Sequence, residues 1–134
     1  MGGGILSNTS SNWPELPLNC PLDGAAPRPG DLYRFSDPAD SGDWQLPIQR
    51  YGADHFSDAT ERDYCRAHAL SVFIDIEAAR KFQSKYPKFR GHSIIRFQIT
   101  DKCGVVIKDR PHGGHHCLWP TDEFAVPPAM EVVT

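Results

Sequence analysis

The hydrophobic pattern of the chain predicts several short strands. Residues 31–35 form an aromatic run between breaker-rich segments, and residues 69–74 form a run of β-branched and aromatic side chains. Residues 92–99 alternate between one face of Ile and Phe side chains and a second face that carries both apolar and polar side chains, as expected for a strand. Shorter apolar runs predict further strands at residues 105–107, 123–126 and 131–133. We expect the strands at 92–99 and 105–107 to form a hairpin.

Two helices are predicted between the early strands. The first runs from Asp58, as the N-cap, to about His68, with Glu61 in the position of a capping box. The second follows Asp75 and extends to about Tyr86, because its apolar residues recur at helical spacing. Helices early in the chain and strands late predict an α+β fold.

Length and composition predict one domain with an attached arm. The 134 residues suit a single domain, which we expect over residues 31–134. Residues 1–30 are rich in Gly, Ser, Asn and Pro and predict a flexible N-terminal arm. Residues 36–57 and 108–121 are predicted as loops. No apolar run approaches the roughly 20 residues of a membrane span, so no membrane partner is expected.

Charge and cysteine content limit the classes of function. A net charge of −3 disfavours nonspecific nucleic-acid binding, because that binding requires a basic surface. The four cysteines are widely spaced in a chain too long to need covalent staples. We therefore favour free thiols in a reducing compartment over disulfides. The cysteines are Cys20, Cys65, Cys103 and Cys117.

Arg34 lies inside the first predicted strand and is a candidate ligand-binding residue. Alternation along a strand directs it to the face opposite Tyr33 and Phe35. If those rings face the core, Arg34 faces solvent or a cleft. A guanidinium on a rigid strand suits phosphate or carboxylate, because its donors form a planar fork. An ordinary solvent-exposed arginine is the alternative.

Three polar residues stand in otherwise structural runs, namely Arg34 in the first strand, Ser71 in the strand before the Asp75 helix and Glu123 at the start of a late strand. On these residues the chain resembles the Arg-Ser-Glu branch of the ADP-ribosyltransferase superfamily. In that family the first strand carries an arginine after an aromatic residue, which Tyr33 and Arg34 match. A serine-led strand then leads into a helix, which Ser71 matches, and a glutamate precedes a Pro-Pro turn and a final strand, as Glu123 does here. The resemblance implies a split β-sheet core with two short helices. Only the serine of the usual Ser-Thr-Ser motif is present, and Thr121 occupies a position where many transferring members carry Glu or Gln.

The resemblance implies that NAD is the substrate and that the nicotinamide–ribose bond is cleaved. ADP-ribose would pass to a macromolecule, or to water in an NAD glycohydrolase. Glu123 would stabilise the oxocarbenium-like charge, Arg34 would hold a diphosphate oxygen, and Ser71 would bond the ribose or the carboxamide. The side chains expected to flank the nicotinamide ring are those of Tyr33, Trp44 and Phe82.

The small size and the leader without a secretory signal suit a bacterial toxin or effector. We expect a cytoplasmic location, or delivery into a target cell by a non-Sec route. Expected partners are a protein or nucleic-acid acceptor and a cognate immunity protein.

Two alternatives stay open. The incomplete serine motif is compatible with a catalytically degenerate binding protein of the same fold. A second alternative is a metal-binding protein, because one glycine-bearing loop carries four side chains of zinc-competent types, although their spacing matches none of the usual zinc frames. These weaker candidates are His112, His115, His116 and Cys117. In preference to metal binding, we expect this loop to shape the mouth of the cleft.

Overall fold

The structure is a computed structural model, and it describes residues 13–36, 44–109 and 114–133. These residues form six strands and three α-helices. The strands are β1 (Gly30–Ser36), β2 (Leu70–Phe73), β3 (Ser93–Ile99), β4 (Gly104–Lys108), β5 (His115–Pro120) and β6 (Met130–Val132). The helices are α1 (Pro47–Tyr51), α2 (Glu61–Arg66) and α3 (Ile76–Lys85), with 3-10 turns at Ala53–Phe56 and Pro87–Phe89.

The six strands form one antiparallel sheet in the order β4-β5-β2-β1-β3-β6. β1 and β3 are paired along their whole length, from Gly30 opposite Ile99 to Ser36 opposite Ser93. In contrast, the register between β1 and β2 has a single pair, Tyr33 opposite Phe73. The sheet is therefore nearly divided into the halves β4-β5-β2 and β1-β3-β6. The predicted combination of helices and strands in one α+β domain is confirmed, and the structure adds that the sheet is antiparallel. The ADP-ribosyltransferase fold stays a prediction.

Hydrophobic clusters pack on both faces of the sheet. The larger cluster is completed by Phe124 from the segment after β5, and its members include Leu32, Val72, Phe97 and Leu118. On the other face α3 packs its buried Ala79 against Phe73 and Ile94. The alternation of side chains along each strand explains why neighbouring residues join different clusters.

Side-chain caps define where α2 and α3 begin. Asp75 Oδ1 accepts a hydrogen bond from the backbone N–H of Glu77 at 2.7 Å, which confirms the predicted start of α3. α2 begins later than predicted, because Thr60 rather than Asp58 caps it, accepting from the Asp63 N–H at 3.1 Å. None of the helices within the described residues is long and apolar enough to span a membrane.

Several predictions for the later strands and loops are wrong. β3 pairs with β1 and β6, and β4 pairs with β5, so β3 and β4 do not form a hairpin. β5 lies in residues predicted as a loop, and it is a strand because Cys117, Leu118 and Trp119 are buried within it. Residues 123–126 form a turn instead of a strand. The predicted loop over 36–57 contains α1 and a 3-10 turn.

The predicted arm, residues 1–30, is described from Trp13 onward, and this part is attached to the domain. Trp13 Nε1 donates a hydrogen bond to the Thr121 carbonyl at 3.0 Å, and its ring lies 6.0 Å from that of Phe124. An isolated β-bridge joins Ala26 to β4. The segment ahead of β1 is therefore attached to the domain at Trp13 and at Ala26.

A disulfide joins the segment ahead of β1 to α2. Cys20 and Cys65 are bonded, with their Cα atoms 5.5 Å apart. The prediction of free thiols is therefore wrong for these two residues, whereas Cys103 and Cys117 are free and buried. The sequence separation of 45 residues hid the pair, because only the folded chain brings the two cysteines together.

We expect reduction of this disulfide to destabilise the protein. Opening it removes a loop constraint from the unfolded chain, which typically costs about 2–4 kcal/mol. The melting temperature of the wild-type protein, followed by circular dichroism, should fall when a reductant is added. The double variant Cys20→Ser/Cys65→Ser is the control, because it should melt at the lower temperature with or without reductant. An unchanged wild-type melting curve in reductant would contradict the expectation.

Candidate functional site

A cavity of about 340 Å³ opens where the two halves of the sheet separate. Strands β1, β2 and β5, helices α1 and α3 and the 3-10 turn after α3 all contribute to its lining. Its volume lies at the lower end of the range for small-molecule pockets. The single register pair between β1 and β2 explains the position of the cavity, since fully paired strands would leave no opening there.

The cavity lining is cationic. Arg34, Arg50 and Lys88 contribute three permanent positive charges, and His92 and His115 add two imidazoles. Among the described residues that line it there is no aspartate or glutamate. Positive charge in a concave site raises the local concentration of anions. The lining therefore favours an anionic ligand.

The lining is also aromatic. It includes five rings, those of Phe35, Tyr51, Phe73, Phe82 and Phe89. Phe35 stacks on Phe89 with 4.8 Å between ring centroids, and Phe73 and Phe82 lie 5.3 Å apart. Such surfaces accept a planar ring by stacking or by edge contact. A ligand that combines an anionic group with a planar ring fits both properties of the lining.

Arg34 spans the gap between the two halves of the sheet. Its Nη1 donates a 2.7 Å hydrogen bond to the backbone carbonyl of Ser71, in β2. The ring of Trp44 lies 5.1 Å from the Arg34 Cζ atom, in a cation–π arrangement. Arg34 is thus a partly buried arginine held at the cavity, in contrast to the alternative of an ordinary exposed side chain.

Only some of the residues predicted to bind the cofactor line the cavity. Ser71 and Phe82 line the cavity together with Arg34. Tyr33 is not part of the lining and packs against the cluster around Phe73. Trp44 is likewise outside the lining, and packs edge-on against Phe97 as well as over Arg34.

Glu123 is not brought into the cavity lining. It is exposed in the turn after β5, and its backbone N–H is bonded to Thr121 Oγ1 at 3.3 Å. The next residue, Phe124, is buried and lies 5.9 Å from the Trp44 ring. Of the three predicted catalytic residues, Arg34 and Ser71 come together, and the catalytic role of Glu123 stays a prediction.

The histidine and cysteine side chains of β5 do not assemble a metal site within the described residues. His115 lines the cavity, whereas the adjacent His116 is buried and bonded through Nδ1 to the Gly114 carbonyl. Burial lowers the pKa of His116, and burial raises the pKa of Cys117 to about 12. A thiol with so high a pKa is a poor nucleophile. His112 lies outside the described residues.

Behind the cavity wall lies a charged cluster that sequence reasoning missed. Asp109 Oδ2 is 3.1 Å from His115 Nδ1, and Asp109 Oδ1 is 2.5 Å from Arg66 Nε. The Asp109 side chain is only 9% exposed. Lys108 lies opposite His116 in the β4-β5 hairpin, so Asp109 follows directly at the position of His115. A predicted β4-β5 hairpin would have placed Asp109 beside His115, and so would have identified this pair from the sequence.

Arg50, Lys88 and His92 are further cavity residues that the sequence reasoning did not single out. Arg50 belongs to α1, in a segment predicted as a loop, and the other two lie between α3 and β3. No local motif marks them, because their common feature is their position around the cavity.

We expect Asp109→Asn to destabilise the fold. The substitution removes the charge that faces the largely buried Arg66 guanidinium, and an unsatisfied buried group costs about 1–3 kcal/mol. The free energy of unfolding should be measured by urea denaturation. Glu77→Gln is the matched control, because its pair with Arg80 is exposed and such pairs contribute at most about 1 kcal/mol. Equal losses in the two variants would show that the Asp109 cluster has no special importance.

Comparison of the chain with protein-family models, with curated proteins and with solved structures gives no match. The ADP-ribosyltransferase resemblance therefore rests on the motif residues alone.

Proposed function

We propose that the protein binds NAD, or a closely related anionic nucleotide, in the cavity between the halves of the sheet. The observation that supports this most directly is the lining itself, which combines three permanent cations with five aromatic rings and has no carboxylate among its described residues. The cations suit a diphosphate, and the rings suit a nicotinamide or an adenine. This part of the proposal does not depend on the resemblance to the ADP-ribosyltransferase superfamily.

The volume of the cavity suggests how the ligand is accommodated. About 340 Å³ suits one nucleotide half, so the other half of a dinucleotide would extend towards the exposed Arg50 and Lys88. Arg34 is fixed at the inner end by Ser71 and Trp44, so the position of its guanidinium is preorganised. Preorganisation lowers the entropy that is lost when the ligand binds.

We expect Arg50→Gln and Lys88→Gln each to weaken NAD binding by about tenfold, because each substitution removes roughly 1.4 kcal/mol of charge-assisted binding. Isothermal titration calorimetry with NAD measures this change. Lys81→Gln is the matched control, since Lys81 is an exposed lysine of α3 outside the lining. The proposal fails if wild-type protein shows no heat of binding at millimolar NAD, or if Lys81→Gln weakens binding as much as the other two variants.

A second candidate function is cleavage of the bound NAD, by ADP-ribosyl transfer or by hydrolysis. Its support is the motif resemblance, together with the proximity of Arg34 and Ser71 at the cavity. The oxocarbenium-like transition state of such a reaction is stabilised by a nearby carboxylate. Because Glu123 lies outside the lining, its participation requires the turn after β5 to approach the ligand. Binding without turnover needs no such movement, and the described geometry favours it.

Glu123→Gln tests the predicted role of this carboxylate. If Glu123 stabilises the transition state, the variant should lose nicotinamide release by at least about 100-fold while it still binds NAD. Release should be measured by chromatography, with and without cell lysate as a source of acceptors. Asp122→Asn, a neighbouring exposed carboxylate, is the control. Release that is unaffected by Glu123→Gln would remove Glu123 from the mechanism.

The wider predictions from the sequence belong to this second candidate. They are transfer to a protein or nucleic-acid acceptor, action as a toxin or effector, and recognition by an immunity protein. The alternative of a metal-binding protein has no support within the described residues, because no group of three ligating side chains forms there.

A further inference from the structure

We infer that a basic surface beside the cavity binds single-stranded nucleic acid. This basic surface extends from the second half of α3 to the end of the 3-10 turn that follows it, and consists of the exposed residues Lys81, Lys85, Tyr86, Lys88 and Arg90. Of these five residues only Lys88 belongs to the cavity lining. The inference therefore goes beyond the proposed function and does not depend on whether the cavity binds NAD.

Positive charge is concentrated in this part of the chain. Residues 78–100 carry six of the 14 Lys and Arg residues and no Asp or Glu, although the net charge of the whole chain is −3. Arg66, Arg80 and Arg96 are ion-paired, whereas the four cations of the basic surface form no ion pair within the described residues. A local basic surface attracts a polyanion even where the net charge of the protein is negative.

A row of cations lies beside a row of aromatic rings on α3. Lys81 and Lys85 are four residues apart, so they are neighbours on one face of the helix. Phe82 and Tyr86 have the same spacing, and their ring centroids lie 4.5 Å apart. Lys85 Nζ lies 5.8 Å from the centroid of the Tyr86 ring, so the two rows are in contact.

The 3-10 turn after α3 extends both rows. Gln83 Nε2 donates hydrogen bonds to the backbone carbonyls of Phe89 at 2.8 Å and His92 at 2.9 Å, which hold the turn against α3. Lys88 Nζ lies 5.0 Å from the centroid of the Phe89 ring, and that ring is 5.7 Å from the ring of Phe82. The contact between a lysine and a ring thus occurs twice on the basic surface.

Single-stranded nucleic acid carries the two chemical groups that this arrangement suits. Its phosphates bind to a row of cations, and its unpaired bases stack on aromatic rings. Tyr86 is 41% exposed, so its ring can accept a base. A duplex presents phosphates with its bases already stacked on one another, and an acidic protein presents carboxylates without bases. The rings therefore favour a single strand over both of these partners.

Fluorescence anisotropy of a labelled oligodeoxythymidylate of about 12 nucleotides measures this binding. We expect Lys81→Gln/Lys85→Gln to weaken the binding about tenfold at low salt, because two phosphate contacts are lost. The slope of log K against log salt should become shallower by about 1.4, since each phosphate contact on a single strand contributes about 0.7. The matched control is Lys102→Gln/Lys108→Gln, which removes the same charge from exposed lysines in and beside β4 and should bind as the wild type does.

Tyr86→Leu tests the contribution of stacking. Leucine can still pack on Phe82 but has no ring, so affinity for the single strand should fall about fivefold or more. Affinity for the same strand annealed to its complement should not change. Melting curves identify which variants are folded, and calorimetry with NAD should give the wild-type result for each variant, because the substituted residues lie outside the cavity lining.

Four results would overturn the inference. The first is a folded wild-type protein that does not bind the single strand at about 100 µM, the weak end of nonspecific binding. The second is an equal loss of affinity in the two lysine pairs, which would show that only the net charge matters. The third is unchanged affinity in folded Tyr86→Leu.

The fourth result concerns an acidic protein as the partner. If polyglutamate of equal charge displaces the labelled strand as effectively as unlabelled oligodeoxythymidylate does, the surface recognises acidic protein instead. None of the four results bears on NAD binding, which calorimetry of the wild-type protein decides separately. Losses in Lys81→Gln/Lys85→Gln and in Tyr86→Leu, with wild-type affinity in the control pair and weak displacement by polyglutamate, support the inference.

Discussion

The hydrogen bond from Arg34 to the Ser71 carbonyl is the interaction on which the site depends. β1 and β2 are sheet neighbours that share only one register pair, so most backbone groups along this boundary need other partners. The Arg34 guanidinium satisfies one of them and ties the two halves together at the point where they diverge. The same divergence opens the cavity. One side chain therefore both limits the gap and gives the gap its innermost positive charge.

Because Arg34 has both a structural role and a proposed ligand-binding role, the effect of substituting it is difficult to interpret. A substitution there would remove a contact between the sheet halves and a ligand-binding charge at once, so a loss of binding would have two explanations. Arg50 and Lys88 are exposed at the rim and are not embedded in the sheet. Substitutions at the rim can therefore change ligand binding with little effect on the stability of the fold, whereas a substitution of Arg34 would change both.

Local patterns predicted the elements whose residues carry their own signals. β1, β2, β3 and α3 appear where apolar spacing and the Asp75 cap place them, and Arg34 was singled out because it interrupts an aromatic strand. β5 was missed because its two histidines and the preceding glycines resemble a loop, although it ends in a buried Cys-Leu-Trp run. The disulfide, the split sheet and the pairing of Asp109 with His115 depend on tertiary register. No local pattern encodes which distant segments become neighbours.

The Cys20–Cys65 bond closes a covalent ring that includes β1 and α1. Arg34 and Arg50 lie inside this ring, whereas Lys88 and His115 lie outside it. A protease that cuts one peptide bond anywhere within the ring leaves two fragments that stay linked through sulfur. The nicked chain would separate on a denaturing gel only after thiol treatment, and the strand that carries Arg34 would stay tethered to the rest of the protein.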